Sequence, residues 1–217
     1  MARQSYCKLM RNLDEALTEI SSIRRQMAQS TEFRGYGPAT LAATGLLAVV
    51  AALAQRYWVP EPALHVAAYL SLWFGTAVLS AAMIGTQMYT RARRLHSGLA
   101  DDMIHMAVEQ FLPAAGAGLL VTLVLALYVP TAVWMLPGLW QVIYSLGVFS
   151  SCRFLPRSTA VVGCWYLMTG LVCLALGDAR ALSAWTMGVS YGVGQLLVAV
   201  VLLRAAKDGG EESGDEV

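Results

Sequence analysis

The sequence predicts an all-α membrane protein with six transmembrane helices in three hairpins, preceded by a cytoplasmic amphipathic helix. Three observations carry that expectation. Of 217 residues, 57% are apolar and only 13% are charged, against roughly 45–50% and about 25% in soluble domains. A soluble globule of this composition would lack the charge that keeps a surface in water. Charge-free runs of about 20 residues recur, the length a helix needs to cross about 30 Å of hydrocarbon. The basic residues then gather in every second connection between those runs, and so on one side, as the positive-inside bias predicts.

Residues 1–37 read as a cytoplasmic segment, with an amphipathic helix over about 8–30. Leu9, Leu13, Leu17, Ile20 and Met27 recur at helical spacing, while Asp14, Glu15, Glu19, Arg24 and Arg25 occupy other faces. Such a stripe must be covered by lipid, by another copy or by a soluble partner. The acids in its middle disfavour a simple lipid-surface helix, which makes the five apolar residues a candidate partner-binding face.

The transmembrane region, 38–204, divides into spans at about 38–55, 63–88, 110–129, 132–152, 158–177 and 182–203. Arg34 and Arg56 bound the first, and Glu61 and Arg91 the second. From Gln110 to Cys152 no Asp, Glu, Lys or Arg occurs, enough for two crossings. The break falls at Tyr128-Val129-Pro130, because proline ends a helix and restricts the residue before it. Pro137-Gly138 is a second break signal that leaves the start of the fourth span open by several residues. Span five fits between Arg157 and Asp178, and span six between Arg180 and Arg204. The tail, 205–217, is acidic and glycine-rich and is expected to be disordered.

With these spans, 13 of the 15 Lys and Arg residues lie on one side, against Arg56 and Arg180 on the other. Both termini are therefore expected in the cytoplasm. Tyr57, Trp58, Tyr128, Trp134 and Trp185 fall at the outer boundary, and Phe33, Tyr36, Tyr89 and Phe154 at the inner one. About 35 charged and polar residues precede the first apolar run, too many for the n-region of a cleaved signal. Cys7, Cys152, Cys164 and Cys173 are not placed in an oxidising compartment, and no disulfide is expected.

Gly45-Leu46-Leu47, Gly118-Leu119-Leu120 and Gly170-Leu171-Val172 sit at comparable places in the odd spans, so the three hairpins are candidates for a repeat. Small residues such as Gly188, Gly192 and Gly194 report close helix packing, with a dimer face on span six as the other use.

No deep segment contains an ionisable Asp, Glu, Lys or Arg, which disfavours a proton-driven pump. Gln141, Tyr144, Ser145, Ser190, Tyr191 and Gln195 are the polar residues at depth. Gln141 and Gln195 hydrogen-bond between helices in one reading and line a solute path in the other. Gly188-Val189-Ser190-Tyr191-Gly192 fits the serine-hydrolase elbow pattern, but it lies in an expected span without a nearby histidine. Asp101, His105 and Glu109 share a helix face that His96 could join, as metal ligands or an acid/base pair would. Capping by Asp101 or Asp102 and a solvated face account for the same pattern. Arg91, Arg93 and Arg94 suit contact with anionic lipid, at about 1 kcal/mol each, or simply anchor the second span.

The segment Ile23-Arg24-Arg25-Gln26-Met27-Ala28-Gln29-Ser30-Thr31-Glu32-Phe33 resembles a family of uncharacterised small bacterial polytopic inner-membrane proteins. In that family an Ile-Arg-Arg-x-Met-x-x-Ser-x-x-Phe segment similarly precedes several apolar helices. The likeness is close at this junction and otherwise one of hydropathy, including the Leu136 to Trp140 stretch. It implies a bacterial inner (cytoplasmic) membrane location and supplies no catalytic residue.

The expected function is a non-catalytic accessory, anchoring or regulatory subunit that engages a partner through the helix from Leu9 to Met27. The alternative is a passive transporter or channel-like oligomer for a small neutral solute. No enzyme activity and no cofactor are expected. The expected partners are the lipid bilayer, a cytoplasmic or membrane protein, and a second copy of the chain, with no nucleic acid.

Overall fold

A computed structural model describes the backbone of residues 37–94, 99–152 and 157–211, and the side chains of these except 91–94, 99–108, 110, 157 and 205–211. The predicted N-terminal face, Leu9, Leu13, Leu17, Ile20 and Met27, lies outside the described residues, as does His96. Every regular element among the described residues is helical. The long ones are α1 (Pro38–Trp58), α2 (Val66–Arg94), α3 (Leu99–Tyr128), α4 (Leu136–Ser151), α5 (Ala160–Ala175) and α6 (Ala184–Glu211). Short 3-10 turns, Pro130–Met135, Arg157–Thr159 and Ala179–Leu182, precede α4, α5 and α6.

Several prolines and one glycine mark element boundaries, although Pro113 lies inside α3. Pro38 opens α1 after an extended Gly37, because a helix start has no use for the missing N–H. Tyr128 ends α3, and Pro130 begins the 3-10 turn that leads into α4, with Pro137 in its first turn. Gly177 takes a φ of 70° just past α5, a left-handed conformation that glycine adopts without a Cβ penalty.

Two boundaries differ from the sequence expectation. The apolar part of α3, Phe111–Tyr128, matches the expected third span, but the helix itself begins at Leu99, so Asp101 and Asp102 lie within its first turn instead of capping it. The acids still sit favourably against the helix dipole there. At the other end α6 runs on to Glu211, which makes part of the expected disordered tail helical. Propagating an existing helix costs little through good formers such as Arg204-Ala205-Ala206-Lys207. Residues 212–217 lie outside the description.

Five segments are long and apolar enough to cross a membrane: Pro38–Trp58, Val66–Thr90, Phe111–Tyr128, Pro130–Ser151 and Ala184–Arg204. The sixth helix, α5, is equally apolar but has only 16 residues, about 24 Å of helix.

Each helix touches its chain neighbours, and α1 closes the ring against α6 in the most extensive contact of the fold. The pairing of α4 with α5 is next. Both seams are built on glycine. A Cβ on Gly45 would lie 3.0 Å from the Gly192 carbonyl oxygen, and one on Gly188 would collide with the Ala52 methyl. Gly138 and Gly170 face each other similarly, each placing a hypothetical Cβ 2.9 Å from the other's carbonyl oxygen. Close backbone packing of this kind is what holds helices together where lipid removes the hydrophobic drive. Gly188 and Gly192 are therefore spent inside the bundle. Gly118, in contrast, meets only Trp140 at 4.0 Å, so the three Gly-Leu motifs do not occupy equivalent surroundings.

The outer helices differ from the inner ones. Only 11% of the α2 span and 6% of the α3 span is buried, against 39% for α1 and α6. Val78, Leu112, Leu120 and Leu127 are each about two-thirds exposed. Surface of this kind requires a cover of lipid or protein.

Gly188→Leu should therefore lower stability by about 1–3 kcal/mol through overpacking, read as a shifted midpoint in unfolding titrations in mixed micelles. Gly75→Leu, at a site with no neighbour within 4 Å, should leave the midpoint unchanged or raise it. Equal losses at both positions would contradict the proposed seam.

Candidate functional site

The side chains with unusual chemistry form two buried polar groups, one at the α1 C-terminal end and one midway along α4, α5 and α6. At the first, Gln55 occupies the last turn of α1 and is only 2% exposed. Its Nε2 donates to the Leu182 carbonyl at 2.8 Å, and its Oε1 accepts from Trp73 Nε1 at 2.7 Å. One amide thus joins α1, α2 and the turn before α6. Ala51, Ala52, Val59, Tyr69, Trp73, Leu182 and Met187 pack around it. Beyond it, exposed Arg180 grips Asp178 through Nε at 2.8 and 2.9 Å. With the Arg180 backbone N–H donating as well, the Asp178 carboxyl is held below its ordinary range.

At mid-bundle, Tyr144 of α4, Tyr166 of α5 and Tyr191 of α6 bring their rings together at centroid distances of 4.7, 5.3 and 5.7 Å. Tilted and edge-on rings at this separation suit the aromatic quadrupole. Gly194 makes room for the Tyr166 phenol, since a Cβ there would collide with it. Gln195 Nε2 donates to the Tyr144 hydroxyl at 3.2 Å. Nearer the α6 N-terminus, Gln141 Nε2 donates to the Thr186 carbonyl at 3.2 Å, and Trp165 Nε1 donates to the Ser190 carbonyl at 2.9 Å. The two predicted glutamines thus both bridge α4 and α6, at separate levels and without bonding each other. Gln141 Oε1, Gln195 Oε1 and the Tyr166 hydroxyl remain buried without a partner. α2 and α3 are joined to this core mainly through Trp140, which stacks on Tyr69 with centroids 6.4 Å apart and donates to Thr122 Oγ1 at 2.8 Å.

The serine of the elbow pattern is not set up as a nucleophile. Ser190 lies mid-helix with its hydroxyl donating to the Thr186 carbonyl at 2.6 Å. That is back-bonding within a helix, not the strained turn a nucleophile elbow requires. His65 is exposed at the start of α2, on another element. Among the described residues no group of three or more His, Cys, Asp or Glu side chains is placed to hold a metal. Of the predicted cluster, Asp101, His105 and Glu109 share α3, and the one described side chain, Glu109, is exposed. Arg91, Arg93 and Arg94 form the end of α2.

Sequence reasoning missed Gln55, Trp73, Tyr69 and Tyr166. Gln55 sits beside Arg56 and reads as a boundary residue, and its partners are distant in the chain, so no local signal marks it.

Comparison with protein-family models, with curated proteins and with solved structures gives no match for this chain.

Gln55→Leu leaves the Trp73 Nε1–H and the Leu182 carbonyl unpaired, and should cost about 1–3 kcal/mol for each. In the Trp73→Phe background the loss should shrink, giving a coupling of about 0.5–3 kcal/mol in a double-mutant cycle. Strict additivity would remove the clasp assigned to Gln55.

Proposed function

We propose that the chain is a multi-pass protein of the bacterial inner membrane with both termini in the cytoplasm. In this reading it acts without catalysis, as an accessory, anchoring or regulatory subunit, and captures its partner on the Leu9, Leu13, Leu17, Ile20 and Met27 stripe. One observation carries the reading: the polar groups at mid-bundle are turned toward one another across α4, α5 and α6, with aromatic rings filling the space between them. An interior of that kind supports an anchor better than a conduit. The outward apolar surfaces of α2 and α3 add support, because they offer room for lipid or for another membrane protein.

A second reading has an observation of its own. The unpartnered Oε1 atoms of Gln141 and Gln195 and the Tyr166 hydroxyl favour a passive path for a small neutral solute in an oligomer, since buried polar groups normally find a partner.

Deleting residues 8–28 should abolish co-purification of the partner from gently solubilised membranes and leave liposome flux of small neutral solutes unchanged. Gln141→Leu with Gln195→Leu should leave co-purification intact. Flux that is present in the parent and lost in this double variant would instead establish the transporter reading.

A further inference from the structure

At the end of the bundle where α1 stops, the α1–α2 turn and the α5–α6 turn face each other across a cleft of about 500 Å³. Arg56, Tyr57, Pro60, Pro62, Ser183 and Trp185 line it. Its walls are fixed in advance. Gln55, at its base, is held through both ends of its amide, and the two prolines restrict the first turn. Clefts of roughly 300–1,000 Å³ suit small ligands.

The charges select the ligand. Arg180, at the same end of the molecule, is paired with Asp178 at 2.8 Å, whereas Arg56 has no ion-pair partner among the described residues. The Ser183 hydroxyl likewise has no hydrogen-bond partner. Glu61 lies between the two lining prolines but is exposed and does not line the cleft. A guanidinium without an ion-pair partner and a hydroxyl without a hydrogen-bond partner, among the described residues, thus share one cavity. The guanidinium fork matches the oxygens of a phosphate, and it does so better than a lysine ammonium. Tyr57 and Trp185, at 81% and 48% exposure, are amphipathic rings at the margin of the apolar band, where a lipid headgroup meets its chains.

We propose that this cleft binds the phosphodiester headgroup of an anionic phospholipid. Arg56 donates to the phosphate oxygens, Ser183 donates one further hydrogen bond, and the acyl chains run down past Tyr57 and Trp185. The proposal rests on the reading of the chain as membrane-spanning.

The test is native mass spectrometry of the full chain in detergent, with phosphatidylglycerol, phosphatidylcholine or glycerol 3-phosphate added. One phosphatidylglycerol per chain should be retained in preference to phosphatidylcholine. Arg56→Gln should lower that retention about tenfold or more, Ser183→Ala should lower it less, and Arg180→Gln should leave it unchanged. Unaltered retention in Arg56→Gln, or an equal loss in Arg180→Gln, would overturn the site. Capture of glycerol 3-phosphate in place of the lipid would overturn its assignment to a lipid. An alkaline wash of the membranes separates the two claims. A chain that washes out removes the membrane reading and the cleft with it, while a chain that stays with unaltered lipid binding removes the cleft alone.

Discussion

The contact between α1 and α6, where backbone meets backbone at Gly45 and Gly192, is the constraint from which the rest of the bundle follows. Chain neighbours meet because short turns oblige them to. Among the described helices α1 and α6 have no such tether, and in the proposed membrane setting no hydrophobic force would drive them together. Small residues remove that difficulty by letting main chains approach, and Ala48, Ala51 and Ala52 extend the seam along α1. Once α1 and α6 are joined, the α1 C-terminus lies against the turn before α6, and Gln55 can reach the Leu182 carbonyl. Toward the other end the same pair buries Leu41, Ala199 and Leu202. The cleft between the two turns is a by-product of this closure.

Polar groups inside such a bundle must be satisfied by protein, since water and lipid are both excluded or useless as partners. Gln55 and Thr122 follow that rule in full by bonding to another helix or turn, whereas Gln141 and Gln195 follow it only through their Nε2 groups. Hydroxyls such as Ser145 and Ser190 satisfy it locally by bonding a carbonyl within one turn. The residual polarity among the described residues is a handful of buried atoms: the amide oxygens of Gln141 and Gln195, the hydroxyls of Tyr69 and Tyr166, and Thr159 Oγ1. The interior between α4, α5 and α6 is filled by the three tyrosine rings, which is the feature the proposed anchoring role draws on.

Much of the fold was legible in the chain. Composition gave the helical class, and the charge gaps and Tyr128-Val129-Pro130 located the helices, because hydropathy and proline stereochemistry are local properties. The ends were less legible. Helices continue past the charges that end the apolar runs, as α3 does back to Leu99 and α6 does on to Glu211, because hydropathy marks where an apolar run stops and not where a helix does. The sites were legible only in part. Gln141 and Gln195 stood out as amides in apolar runs, but their use depends on which helices adjoin them. Tyr166 and Trp73 gave no signal, since an aromatic residue in an apolar helix is ordinary until its neighbours are known.

The measurement that bears most directly on the closed interior is thiol accessibility at depth. In a background without native cysteines, Ser145→Cys and Ser190→Cys would be exposed to a membrane-impermeant maleimide, with Trp58→Cys as the reactive control. Ser145 is fully buried, Ser190 is 5% exposed and Trp58 is 79% exposed. A filled interior predicts rapid labelling at 58 and none at 145 or 190 from either side of the membrane. Labelling of the two deep positions at a rate near that of the control would mean that water reaches the middle of the bundle, and the anchoring account would give way to a solute path.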